Sequence, residues 1–358
     1  MQKEDRYNAG RGAQVNVYNR FDSQNHELRD DFLNYCAAEG EEPVNTQTVL
    51  IDTFPKTIIN KVDSPDLRMG YSLNPYQGCE HGCVYCYARN SHEYWGYSAG
   101  IDFEQKILVK RNCVELLEKK FQSPRWEAAP IVLSGNTDCY QPIEKKLEIT
   151  RALLKTFLKY RHPVGIITKN ALIQRDIDIL KELAKDNLVQ VNLSITSLDE
   201  SMRRMLEPRT ATVKKRLETV EKLTAEGIPV SVMMAPIIPA INSHEILPLV
   251  KAVAERGAVS VGYTMVRLNG AIGGIFTDWI RKTLPDRAEK VLHQIAECHG
   301  GNLNDSVFGR RMKGKGNIAE QVAQQFTIAS KKYLSGRAVP VLNCELHEQY
   351  KDGQMKLF

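Results

Sequence analysis

The sequence predicts an α/β fold: a partial (β/α)6 TIM-like barrel with an N-terminal arm and a C-terminal helical extension. Three observations predict it. Short runs rich in Val and Ile alternate with longer amphipathic stretches from residue 70 to about residue 268. Regular alternation of that kind implies parallel strands joined by right-handed crossovers. The 358 residues suit a barrel with additions at both ends. Six strand–helix units fit an incomplete barrel, and a doubly wound open sheet is the alternative.

Residues 1–65 are polar and mixed, with few periodic segments. They read as an extended arm that packs on a larger body, or as a partly disordered tail. The barrel is expected over 66–270. Its first strand, 71–76, leads straight into a cysteine cluster. Further strands are expected at 131–133, 164–168, 189–195, 230–235 and 259–266, all rich in β-branched residues. Helices are expected at 144–160, where Leu147, Leu153, Leu154, Phe157 and Leu158 repeat at helical spacing, and at 172–184 and 213–224. Gly227 and Pro229 close the last of these. After Leu268 the pattern loosens into an extension over 271–340, with a last helix at 318–333, and an extended tail over 341–358.

Apolar residues are 42% and charged residues 25%, an ordinary globular mix that excludes a disordered chain. No apolar run approaches the length of a membrane span. The segment from Met1 to Arg6 lacks the apolar core of a signal peptide, so a cytoplasmic protein with no membrane partner is expected. The net charge of +5 permits a nucleic-acid partner without requiring one.

Cys36, Cys113, Cys139, Cys298 and Cys344 are isolated, whereas Cys79, Cys83 and Cys86 fall in one segment, Gly78-Cys79-Glu80-His81-Gly82-Cys83-Val84-Tyr85-Cys86-Tyr87. In a reducing compartment such clusters bind metal or catalyse. Three thiolates on a glycine-containing loop can ligate three corners of an iron–sulfur cube, leaving one iron open. The other reading is a structural zinc site with His81 or His92 as fourth ligand, although the second half of a zinc pattern is missing.

This C-x3-C-x2-C segment resembles the signature of radical S-adenosylmethionine (radical SAM) enzymes, with aromatic Tyr85 before the third cysteine. The stretch from Ser72 to Gln77, Asn136-Thr137-Asp138, Tyr140-Gln141-Pro142, Thr168-Lys169 and Leu206-Glu207-Pro208-Arg209 resemble the photolyase-like branch, which includes spore photoproduct lyase. The resemblance covers roughly residues 8 to 335. It implies that Cys79, Cys83 and Cys86 hold a [4Fe–4S] cluster whose open iron chelates SAM. An electron from a donor of flavodoxin or ferredoxin type would cleave SAM, and the resulting radical would abstract a hydrogen atom from substrate.

Ligand groups in barrels sit at the C-terminal ends of strands. Asn136, Thr137 and Asp138 stand where the superfamily carries its amine-binding motif, so the resemblance implies that they receive the SAM amine and that Lys169 meets its carboxylate. Ser194 and Thr196 are expected at the carboxylate or ribose, Arg209 at SAM or the neighbouring loop, and Tyr85 and Ala235 at the adenine slot. Each also has an ordinary structural reading, as strand-end turn, solvated side chain or core. In spore photoproduct lyase a hydrogen-donating cysteine stands just before the corresponding turn. That position here is Gly135, and Cys139 follows Asp138 instead, as a displaced hydrogen donor or a small buried residue.

The last five residues, Gln354, Met355, Lys356, Leu357 and Phe358, resemble the pentapeptide that docks on the bacterial sliding clamp; a fraying tail is the alternative. Arg310, Arg311, Lys313 and Lys315 read as a phosphate-contacting or a solvated segment. The expected function is a lyase-like radical SAM enzyme acting on a nucleic-acid base, related to DNA repair. The alternatives are a radical SAM enzyme on a peptide or small metabolite, and a non-enzymatic metal-binding adaptor recruited to the clamp.

Overall fold

The computed structural model describes residues 10–21, 47–67 and 69–351. Its strands are β1 (Val49–Thr53), β2 (Ile59–Lys61), β3 (Tyr71–Leu73), β4 (Tyr76–Gln77), β5 (Lys106–Lys110), β6 (Ile131–Leu133), β7 (Val164–Thr168), β8 (Val189–Ser194), β9 (Val230–Ile237) and β10 (Ser260–Met265). The main sheet has the order β10-β9-β8-β7-β6-β3-β2. β3 and β6 to β10 are mutually parallel, and β2 is antiparallel on the edge. This is the expected partial (β/α)6 barrel, with no ladder closing β10 onto β2 among the described residues.

Helices return the chain between the parallel strands. In Ile149–Lys159 the buried side chains Leu153, Leu154 and Phe157 share one face. Each contributes about 1.5–3 kcal/mol by leaving water. Val213–Ala225 starts where the Thr212 side chain accepts the Lys215 N–H, and ends before Gly227, which takes a φ of 76°. Inward-facing Val164, Ile166, Val191, Leu193, Val230, Val232 and Met234 are all fully buried and meet these helices in one core.

One expected strand is two. Pro75 has no N–H to give a ladder, so the pairing of the first strand cannot run on through it. β3 therefore stops at Leu73, and β4 leaves to pair antiparallel with β5, which pairs in parallel with β1. This three-stranded sheet carries the cysteine loop on its rim. In the C-terminal part, Ala271–Thr283, Pro285–Cys298 and Asn317–Tyr333 are helices. No helix among the described residues is long and apolar enough to cross a membrane. Gln354, Met355, Lys356, Leu357 and Phe358 lie outside the described residues.

The cysteine loop lies above the sheet and is held by one buried ion pair. Arg89 Nη2 meets Glu104 Oε1 at 2.5 Å, with both side chains fully buried. Arg89 also donates to the carbonyls of Cys83 (3.0 Å) and Gly100 (2.9 Å). Glu104 accepts the N–H groups of Gly12 (3.2 Å) and Ala13 (2.8 Å). Gly12 cannot be larger: a Cβ there would stand 1.6 Å from the Gly82 carbonyl oxygen. Gly82 in turn takes a φ of 68°, and its Cβ would press on the Glu104 carboxylate at 2.8 Å.

Breaking this pair strands a charge in the interior. Arg89→Met should lower stability by about 3–5 kcal/mol, read as a fall in the urea midpoint. An unchanged midpoint would show that the pair is replaceable by packing alone.

Candidate active site

A cavity of about 350 Å³ opens over the C-terminal ends of the parallel strands. Cys79, Cys83 and Cys86 line one side, and Ser134 to Asp138, Lys169, Ser194, Ala235 and Val266 line the strand-end side. Of the residues expected at the cofactor, Tyr85, Asn136, Thr137, Asp138, Lys169, Ser194 and Ala235 reach this cavity. Thr196, Arg209 and Cys139 are not among its lining residues.

All three loop cysteines are free thiols. The Cys79 N–H is held by the Phe103 carbonyl at 2.8 Å, and the Val84 N–H by the Leu206 carbonyl at 3.1 Å. Burial pushes the Cys83 and Cys86 thiols up, so their thiolates form against a positive partner such as iron. The ring nitrogens of His81 are engaged by Asp138 at 3.3 Å and Asn170 at 3.3 Å, and the ring also interacts with Cys79. His92 is buried against Tyr97 and Phe103. Among the described residues no three His, Cys, Asp or Glu side chains stand close enough to grip one metal ion.

Asp138 is fully engaged. It accepts from the Tyr140 N–H (2.9 Å), the Thr168 hydroxyl (2.8 Å), the Lys169 N–H (2.8 Å) and His81. Burial opposes its ionisation, but His81 and these donors hold it below the usual range. Burial likewise opposes charging of His81, yet Asp138 and Cys79 carry it up to about 10. Asp138 therefore pins the ends of β6 and β7 to the cysteine loop. Asn74 steadies the same turn, its Oδ1 accepting the Asn136 N–H at 2.8 Å.

Glu207, quoted above within Leu206-Glu207-Pro208-Arg209 without a role of its own, is a buried anchor behind the cavity lining. Its carboxylate is fully buried and meets Arg216 at 2.5 Å, the Thr196 hydroxyl at 2.6 Å and the Tyr85 hydroxyl. Lys169 Nζ stands 3.9 Å from it. Burial opposes its charge, but Arg216, Lys169 and the hydroxyls bring its pKa down to about 2. Thr196 thus positions Tyr85 and Glu207 beneath the cavity. Arg209 sits on the far side of the loop, with Nη2 at 3.5 Å from Glu80, and its N–H donates to the His81 carbonyl at 3.2 Å. Cys139 turns into the main core, its N–H on Ser134 Oγ at 2.7 Å and its carbonyl accepting from Thr150 at 2.6 Å.

The family model of the radical SAM superfamily matches residues 73–253. An uncharacterised protein of Mycobacterium tuberculosis is 31% identical over 234 residues, 64% of this chain and 69% of that protein. A protein of Pseudomonas phage M6 named radical SAM Nalpha-GlyT isomerase is 24% identical over 173 residues, 48% of this chain and 34% of that protein. Spore photoproduct lyase complexed with dinucleoside spore photoproduct shares the fold, with a TM-score of 0.60 at 15% identity over 80% of each chain. A double mutant of that enzyme with AdoMet and the dinucleoside bound has a TM-score of 0.60 at 14% identity, over 87% of this chain and 94% of its own. The chain belongs to the radical SAM superfamily, whose members use a [4Fe–4S] cluster and S-adenosylmethionine.

The Glu207 network has a measurable acid signature. Its folded pKa of about 2 lies below the ordinary 4.5, so its stabilisation is complete above pH 4.5 and drains as pH falls toward 2. In urea unfolding of the metal-free chain this leg is worth about 3 kcal/mol. Glu207→Gln should lack that leg and be less stable at neutral pH, because Arg216 loses its counter-charge. An identical acid profile in the variant would remove Glu207 from this role.

Proposed function

We propose that this radical SAM protein is an enzyme that cleaves S-adenosylmethionine reductively and abstracts a hydrogen atom from a nucleic-acid base. The observation that carries the reading is the opening of Cys79, Cys83 and Cys86 onto one cavity faced by the ends of the parallel strands. These three residues would hold the cluster, which together with SAM supplies the electron transfer and the organic radical when bound. An external one-electron donor of flavodoxin or ferredoxin type completes the requirement.

The chain's own groups bind, orient and exclude water. Lys169 at the end of β7 offers a point charge to the SAM carboxylate, and Ser194 and Asn136 offer polar side chains on the same wall. Met233, Ala235, Pro236 and Val266 supply an apolar wall suited to adenine. Asp138 acts by position, because its acceptor sites are spent on Tyr140, Thr168, Lys169 and His81. Tyr85 is fixed from below by Glu207 and Thr196, so its ring keeps one orientation beside Cys83 and Cys86.

A nucleic-acid base as substrate, in a lyase-like or repair reaction, rests on analogy. The solved structure of the same fold holds a dinucleoside, and this chain carries a net charge of +5. The coarse chemistry does not depend on that choice.

Anaerobic reconstitution with iron and sulfide, then dithionite and SAM, should yield 5′-deoxyadenosine by chromatography. Cys79→Ala, Cys83→Ala and Cys86→Ala should each abolish it, and a four-iron wild-type protein that yields none under any added nucleic acid would sink the proposal. Lys169→Ala should keep its iron and raise the Kd for SAM by about 10–100-fold, the usual cost of a lost charge-assisted hydrogen bond. Cys139→Ser should leave the products formed from substrate unchanged; a shift to products of an unquenched substrate radical, with 5′-deoxyadenosine still formed, would make Cys139 the hydrogen donor.

A further inference from the structure

The far rim of the cavity is built by a part of the chain the catalytic reading does not use. Arg267, just beyond β10, and Arg311, from the basic segment, both line it. The Met265 N–H donates to the Met312 carbonyl at 2.9 Å, which lays that segment against the end of β10 and brings Arg311 to the same opening as Arg267.

The two arginines are held differently. Arg311 is tied down: Nε meets Asp66 at 2.5 Å, Nη2 donates to Ser64 Oγ at 2.7 Å, and its guanidinium lies 4.2 Å from the Phe308 ring centroid. Its neighbour Arg310 is spent on Asp305. Arg267 is half-buried and makes no hydrogen bond or ion pair among the described residues. Burial and the charge of Arg311 both lower its pKa, with Asp66, Tyr87 and Asp305 only partly offsetting them. Two guanidiniums thus face one opening, and the nearby Asp66 carboxylate is bound to Arg311 and to the Gly309 N–H at 2.7 Å. Half-burying an unpaired cation is costly, so the site is matched to an anion that arrives with a ligand. The planar five-donor fork of arginine fits phosphate oxygens bidentately. The SAM carboxylate already has Lys169 on the opposite wall, which leaves this rim for the substrate.

We infer that Arg267, with Arg311 beside it, forms a clasp for a phosphate group of the substrate at the mouth of the cavity. The phosphate is the phosphodiester of a nucleic-acid strand or the phosphate of a free nucleotide. This deepens the proposed function and rests on it for the identity of the reacting base, but the clasp is read by binding alone.

The test uses the cluster-loaded full chain. Anisotropy of a labelled single-stranded oligonucleotide and calorimetry with a nucleoside 5′-monophosphate are measured for wild type, Arg267→Gln, Arg311→Gln and Lys181→Gln. Lys181 is an exposed partner of Glu226 and serves as the charge control. Iron content and circular dichroism establish that each variant is folded. For a strand phosphate, Arg267→Gln should raise the oligonucleotide Kd by at least about tenfold. It should also flatten the dependence of log Kd on log salt by about 0.7 per lost contact. The Lys181→Gln control should match wild type. A loss confined to the monophosphate supports the clasp and assigns it to a free nucleotide. Folded Arg267→Gln that binds both ligands like wild type, with the same salt slope, overturns it. Because 5′-deoxyadenosine formation by wild type is scored separately, failure of the clasp and failure of the radical chemistry cannot be confused.

Discussion

The site depends on a contact that lies outside the sheet. A cysteine loop above strand ends has no ladder to fix it, so something else must. Here it is the Arg89–Glu104 pair, sealed from water on all sides. Removing two charges from water costs several kcal/mol for each, and the cost is offset only where every remaining donor and acceptor finds a partner. The chain meets that condition. Arg89 satisfies carbonyls at Cys83, Ala99 and Gly100, and Glu104 gathers the N–H groups of residues 12 and 13. One interaction thereby joins four segments that no sheet or helix connects. Its geometric demand explains why residues 12 and 82 are glycine: the backbones touch where a side chain would stand.

The same logic recurs around the cavity. Glu80 accepts the Thr48 hydroxyl at 2.9 Å and the Ile143 N–H at 2.7 Å, and pairs with Arg209. Asp138 and Glu207 are each surrounded by donors. These buried carboxylates are structural anchors whose charge is already matched, and each links the cysteine loop to a different strand end or helix. A carboxylate in that condition cannot also act as a free base or receive a ligand's ammonium without losing a partner. The reactive potential of the site therefore lies in its thiols, its unspent cations and its apolar wall.

The parallel core was legible because its signal is periodic and local: runs of Val and Ile, amphipathic helices between them, and breakers such as Gly227. The metal motif was legible because thiol spacing is tight and rare. The β1-β5-β4 sheet was not, since β5 is only three apolar residues between its two terminal lysines and its partners lie far away in sequence. Glu104 looks like a surface carboxylate in the sequence and Glu207 carries no assigned role there, and only tertiary packing buries both beside arginines. Cys139 stands beside a cavity residue in sequence yet outside the cavity lining. At the strand-end turn Asp138 reaches back to His81 while the next side chain enters the core, so neighbours in sequence face different compartments. Arg209 shows the same effect beside Glu207, the two side chains lying on opposite sides of the loop they support.

The charge distribution of the cavity argues for two ligands rather than one. At the Lys169 end, the Glu207 carboxylate is shared with Arg216, leaving two cations against one anion. At the Arg267 end, Asp66 answers Arg311, again leaving one cation in excess. Between them runs an apolar wall that includes Met233, Pro236 and Val266. S-adenosylmethionine brings one carboxylate, and its ammonium and sulfonium add two positive charges of their own. It can neutralise one end and not both. Field lines confined by low-dielectric walls make the residual positive end more demanding than it would be on an open surface. In the clasp proposed above the second anion comes with the substrate, and its arrival discharges the mouth of the cavity.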